Sequence, residues 1–151
     1  MVPSDSDDEV AEWNDFNNEV IAEFRANGGR VGGYWEGVSL LLLHTIGAKS
    51  GVERIHPVTR SADGDRLFVV ASRGGDDRNP DWFYNLVAHP QVVVETGSET
   101  LHVRATVADE PERTRLFDQL VAERAVFKEY EAGTERVIPV VILTKDSFSD
   151  D

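Results

Sequence analysis

The stretch HTIGAKSGVERIHP, residues 44–57, decides how this chain folds. It leaves an apolar run, VSLLLLHTI at 38–46, turns through Gly47-Ala-Lys-Ser-Gly51, and continues as Val52-Glu-Arg-Ile-His-Pro-Val-Thr59. A nucleotide-binding P-loop needs Gly-x-x-x-x-Gly-Lys-Ser/Thr between a strand and a helix, so that backbone N–H groups surround the phosphates at the helix start. Here the first glycine is missing, and Val52, Ile55, Pro57, Val58 and Thr59 favour an extended return over a helix. The segment predicts a hairpin, strand 38–46, turn 47–51 and strand 52–61, and excludes an NTPase. Such a turn can still hold a phosphate through its backbone donors and Lys49, with Arg54 adding a planar fork. On the turn alone, an anion site and a plain solvated hairpin are equally supported.

The same alternation extends outward. Asp63-Gly64 is a hairpin signal, so a third strand is predicted over 66–72. The loop 73–80 leads into a short helix, 81–88, closed by Pro90. Strand 91–95, turn 96–98 and strand 99–109 follow; in the last, Leu101, Val103, Ala105 and Val107 alternate with polar residues. Pro111 opens a helix to about 127, with Leu116, Phe117, Leu120, Val121 and Arg124 on its inner edge, and 137–144 is a final strand. At the other end, Ser6 and Glu9 form a capping-box pattern, so a helix starts near Asp7. Val10, Trp13, Phe16, Val20, Ile21 and Phe24 give it one apolar face.

The order α-βββ-α-ββ-α-β predicts a mainly β, α+β protein. Its six antiparallel strands avoid exposed edges by curling into a barrel. The expected organisation is an acidic amphipathic helix over 1–26, one domain over 27–145 and a polar tail over 146–151.

Composition narrows the function. With a net charge of −13, the surface repels nucleic acid and anionic lipid unless bases are gathered locally. They are gathered at 47–62, where Lys49, Arg54, His56 and Arg60 face only Glu53, with Arg73 and Arg78 close behind. No cysteine is present, which excludes disulfides, thiolate metal sites and a Cys nucleophile. The start, MVPSDSDDEV, has no secretory pattern, and no apolar run approaches the ~20 residues of a membrane span. A cytoplasmic protein is expected. His44, His56, His89 and His102 show no metal-ligand spacing, although His44 and His56 are candidate neighbours across the hairpin. Ser50 and Ser72 lack a nucleophile elbow, and Asp76-Asp77 reads as a solvated loop.

The second glycine-rich loop, Ala71-Ser-Arg-Gly-Gly75, leaves the same meander. The helix after it carries Trp82 with Asn85 three residues on. An aromatic wall and an amide beside a cationic pocket would suit a planar ring with an anionic tail.

Three segments, LLLHTIGAKSGVERIHPV, LFVVASRGGDDRNPDWFYNLVAHPQV and RVIPVVIL, resemble the deazaflavin-dependent nitroreductase family in order and spacing. The similarity covers roughly 27–144. The resemblance implies a split β-barrel of the FMN-binding type and reduced coenzyme F420 as hydride donor. It places the cofactor phosphate near Lys49, Ser50, Gly51 and Arg54, with Pro57 nearby and Arg73 facing the phosphate or tail. Ala71, Ser72, Gly74 and Gly75 back the ring, and Asp81, Trp82 and Asn85 line the groove. Tyr130 corresponds to an aromatic near the substrate mouth, and no general base is implied because the cofactor carries the chemistry. Acceptors of this kind are quinones, enones or lactones, with nitroaromatics as incidental substrates. His44, His56 and Thr59 depart from common family residues. FMN is the rival cofactor, and a non-catalytic carrier of a hydrophobic or cofactor-like molecule is the rival class. Monomer and homodimer both stay open, as does peripheral membrane contact.

Overall fold

The computed structural model describes residues 7–32, 39–72, 78–97 and 99–145, with side chains from residue 17 onward. The elements are α1 (Asp7–Ala26), β1 (Leu40–Ile46), β2 (Glu53–Asp63), β3 (Arg66–Val70), α2 (Asp81–Ala88), β4 (Gln91–Glu95), β5 (Thr100–Val107), α3 (Glu112–Glu123), α4 (Val126–Ala132) and β6 (Val140–Lys145). The strands close into an antiparallel barrel in the order β1-β2-β3-β6-β5-β4. Closure depends on two non-sequential pairings, β1 with β4 and β3 with β6.

The apolar runs are long because three strands are covered on both sides. Leu41 and Leu43, Val69, and Val141 and Leu143 point into the barrel. Their sequence neighbours point outward: Leu40 and Leu42 pack under Val20 and Phe24 of α1. Phe68, Val70, Val140 and Ile142 pack under Leu116, Phe117 and Leu120 of α3 and Phe127 of α4. A strand buried on both faces loses its period-two signature and reads as an unbroken hydrophobic segment.

Two features differ from the sequence expectation. The helix predicted from Pro111 to about 127 breaks after Glu123; Arg124 is extended (φ −143°, ψ 100°) and α4 starts at Val126. Neither Gly nor Pro marks the break. The strand expected over 137–144 starts only at Val140. Of the apolar stripe predicted on α1, Val20, Ile21 and Phe24 meet the barrel, whereas Val10, Trp13 and Phe16 lie outside the described side chains, as do Ser6 and the tail 146–151. Among the described residues no helix is long and apolar enough to cross a membrane.

β2 outruns its second neighbour. It pairs with β1 from Glu53 to Thr59 but with β3 only from Arg60. Pro57 falls in the half with no second partner among the described strand pairs, as a residue without an N–H requires. This half of β2, the β1–β2 turn and α2 together form one end of the barrel.

Candidate functional site

The β1–β2 turn is built by its own polar atoms. The Gly51 amide donates to the Gly47 carbonyl (2.9 Å) and the Gly47 amide to the Val52 carbonyl (2.9 Å). Ser50 Oγ accepts from the Val52 amide at 3.2 Å. Gly51 sits at φ +72°, a backbone conformation that favours glycine, and a Cβ on Gly47 would displace the Ser50 hydroxyl from its place in the turn.

Asn85 fixes this turn to α2. Its Oδ1 accepts the Ala48 amide (3.0 Å) and its Nδ2 donates to Thr45 Oγ1 (3.1 Å). The backbone donor dictates which end of the amide is oxygen. Thr45 Oγ1 also lies 3.2 Å from His56 Nε2. Burial holds His56 down at about pKa 4, opposed by the Asp81 carboxylate and reinforced by Arg54. The imidazole is therefore neutral at physiological pH.

Lys49, Ser50, Gly51 and Arg54 are brought together on this turn, all exposed. Neither Lys49 nor Arg54 forms a hydrogen bond or ion pair among the described residues. Arg54 and His56 share the face of Val58, which belongs to the barrel interior. Pro57 alternates to the opposite face, opposite Leu42, so its side chain is not gathered with theirs. Asp81 is exposed in the first turn of α2, while Trp82 and Leu86 close the barrel interior. Trp82 is thus mainly core, with only an edge to offer a ligand, and Asn85 is an anchor for the turn. Ala71 and Ser72 are both buried, whereas Arg73, Gly74 and Gly75 lie outside the described residues. Tyr130 packs edge-on against Phe127 (5.4 Å, 85°) in the cluster outside β3 and β6, a different cluster from that of Trp82.

Sequence reasoning overlooked three residues. Thr45 reads as an ordinary strand threonine but is fully buried and bridges Asn85 to His56. The sequence offers His56 as a neighbour of His44, yet the register pairs it with Leu43 and puts the two histidines on opposite faces. His44 instead meets Glu95 (2.6 Å) and Glu53 (3.4 Å) beside Arg25, which also binds Glu95 and so ties α1 to β4. Arg136 is the third.

A cavity of about 600 Å³ lies elsewhere, under the Asn27–Gly32 connection. Glu23 and Arg60 on its wall are already engaged, by the Gly32 amide and the Leu40 carbonyl. The turn at Lys49 carries cations that have no carboxylate partner among the described residues, an arrangement suited to an anionic ligand.

Comparison with known proteins identifies the family. Residues 17–145 match the family model F420H(2)-dependent quinone reductase. The chain belongs to this family. It is 40% identical over 129 residues to an F420H(2)-dependent quinone reductase of Mycobacterium tuberculosis, covering 82% of this chain and 86% of that one. A solved F420-H2-dependent reductase, FDR-A, superposes with a TM-score of 0.65 at 35% identity, over 70% of this chain and 93% of its own. A second structure, solved as a domain-swapped dimer, gives a TM-score of 0.66 at 32% identity, over 88% and 98%. This family member is therefore an F420-dependent oxidoreductase with a split-barrel fold, its cofactor is coenzyme F420, and its family reaction is the F420H2-dependent reduction of quinones. The FMN and carrier alternatives give way to it.

The donor set fits that cofactor. A phosphate needs cations not already spent on carboxylates and backbone N–H groups nearby. The turn supplies Lys49 and Arg54, while Arg25, Arg66 and Arg115 elsewhere are ion-paired.

Proposed function

We propose that Lys49, Ser50, Gly51 and Arg54 hold the phosphate of F420, with Arg73 reaching the phosphate or tail. Ala71, Ser72, Gly74 and Gly75 back the ring, and Asp81, Trp82 and Asn85 shape the groove, Asn85 by fixing the turn. Pro57 closes the open edge of β2. The observation carrying this reading is the pair of exposed cations, without ion-pair partners among the described residues, at one end of the barrel of a strongly acidic chain. The binding unit is the domain 27–145, braced by α1 of the acidic segment 1–26 and followed by the tail 146–151.

Bound reduced F420 supplies a hydride, and a quinone that takes it together with one proton becomes a quinol. The protein's part is to bind and orient. Arg54 and Lys49 neutralise the cofactor's anionic end, and the neutral His56 keeps a second positive charge away from Arg54. Enones, lactones and nitroaromatics share the electron-poor conjugation of a quinone and are proposed as further acceptors. The reaction belongs in the cytoplasm. Val52 on the turn, with Tyr84 and Val87 on α2, are exposed and offer peripheral contact with a membrane holding quinone; flotation with neutral-lipid vesicles tests this, and a protein that stays wholly in the aqueous fraction refutes it.

The deciding experiment is a calorimetric titration. F420 should bind in the micromolar range and FMN much more weakly, and the reading is falsified if FMN binds more tightly. Tyr130 is assigned to the acceptor mouth. Stopped-flow oxidation of F420H2 by the Tyr130→Phe protein should change for some acceptors only. A general acid contributes about 10²–10⁴-fold, so a loss near the top of that range with every acceptor contradicts a placement role, and unchanged rates with all of them remove Tyr130 from the site.

A further inference from the structure

Arg136 lies between α4 and β6, inside the RVIPVVIL segment. Its Nη1 donates to Asn79 Oδ1 at 2.6 Å. Its Nη2 donates to the carbonyls of Ala71 (3.1 Å), Ser72 (3.0 Å) and Arg78 (3.1 Å). These acceptors form two groups that are separate in sequence. Ala71 and Ser72 continue from β3, and Arg78 and Asn79 lead through Pro80 into α2. One guanidinium thus ties the exit of β3 to the entry of α2.

The attachment is reinforced on one side. The Ala71 amide donates to the Pro139 carbonyl at 2.9 Å, and Val70 pairs with Val140. The segment bearing Arg136 is therefore laced to β3 by backbone, and the side chain reaches across to the entry of α2. Ala71 and Ser72 are both buried, so removal of the guanidinium would leave their carbonyls without that donor in a place water reaches poorly.

Arginine chemistry suits the task. The guanidinium is planar, permanently charged and carries five N–H donors in a fixed fork, so one group addresses an amide oxygen and several carbonyls in different directions. A lysine places three donors on a single nitrogen, without the planar fork and without the second nitrogen that here reaches Asn79. The side chain is half-buried, which favours charge-assisted bonds over hydration.

We propose that Arg136 is the positioning residue of the cofactor site. It clasps β3 to α2 so that Ala71 and Ser72 keep their place relative to Trp82 and the turn that Asn85 anchors. The proposal rests on the cofactor assignment above, and it gives Arg136 no contact with the reacting atoms.

The test compares Arg136→Ala and Arg136→Lys with Lys49→Ala, using a fluorescence titration of oxidised F420 well below the melting temperature and amide hydrogen exchange over 78–85. Arg136→Ala should weaken F420 binding about tenfold or more and speed exchange at the start of α2. Added guanidinium ion should restore part of both, and Arg136→Lys should recover little. Lys49→Ala should lose affinity with exchange over 78–85 unchanged. A folded Arg136→Ala or Arg136→Lys protein that binds as tightly as wild type overturns the proposal, even if it melts earlier, because a purely structural arginine would behave in that way. If Arg136→Ala does not fold, Arg136→Lys decides on the same readouts. If Lys49→Ala also binds normally, the cofactor assignment itself is wrong; if Lys49→Ala is impaired and the Arg136 variants are not, only the positioning role falls.

Discussion

The two ends of β2 carry similar side chains and use them in opposite ways. At its far end, Arg66 and Arg115 both bind Asp63, and Glu112 on α3 binds both arginines. Hydrogen bonds from Arg115 and then Arg66 hold the Asp63 carboxyl down at about pKa 2. At its near end, Lys49 and Arg54 face solvent with no such partners among the described residues. The first group fastens the β2–β3 hairpin to α3, and the second leaves its charge for something else. Clusters of basic residues therefore locate a binding site only after those already balanced by carboxylates are set aside.

Acid should give the largest difference between the two ends. An unfolded histidine binds its proton near pH 6.5, whereas His56 in the fold holds out to about 4. The unfolded chain takes up more protons across that interval, so stability falls as pH drops from 6.5 to about 4, by on the order of 3 kcal/mol for this group. Asp63 has the opposite kind of origin and a lower window: its contribution is intact above pH 3.8 and is lost as pH falls towards 2. Urea unfolding at stepped pH should show the upper loss reduced in His56→Asn and retained in Asp63→Asn. Equal pH profiles for wild type and His56→Asn would mean the ring is not buried as described.

Next in size is the loss of the unpaired cations. Lys49→Ala and Arg54→Ala should each weaken F420 binding by about 1.5–3 kcal/mol, the scale of a charge-assisted hydrogen bond. The melting temperature of the cofactor-free protein should hardly move. Normal binding by both variants would reduce the near end to a solvated turn and erase the contrast.

The smallest effect belongs to the far end. Arg115→Ala removes one of two arginines from an exposed network, so it should leave F420 affinity unchanged and cause a small drop in melting temperature that shrinks in high salt. A large loss of affinity from this variant would show that the two ends are coupled.

Much of this was legible in the sequence. The turn after Ile46 was readable from Gly47 and Gly51, and the six strands from runs and alternation. Trp82 and Asn85 were visible as one face of a short helix. What the sequence concealed is non-local. The pairings that close the barrel join strands far apart in the chain. The break at Arg124 has no Gly or Pro to announce it. Asn85 looks the same whether its amide meets a ligand or the Ala48 backbone. Arg136 looks like any arginine before a strand until its four acceptors are assembled around it.

The bond between Asn85 and Ala48 has a consequence for the rate as well as the strength of binding. With the turn already fastened to α2, its donors need little ordering when an anion arrives, and less of the interaction energy is lost to conformational entropy. Association of F420 with the turn should then proceed as a single concentration-dependent phase, without a slow step that saturates. Asn85→Ala would uncouple turn from helix, and a second, saturable phase should appear in its binding traces.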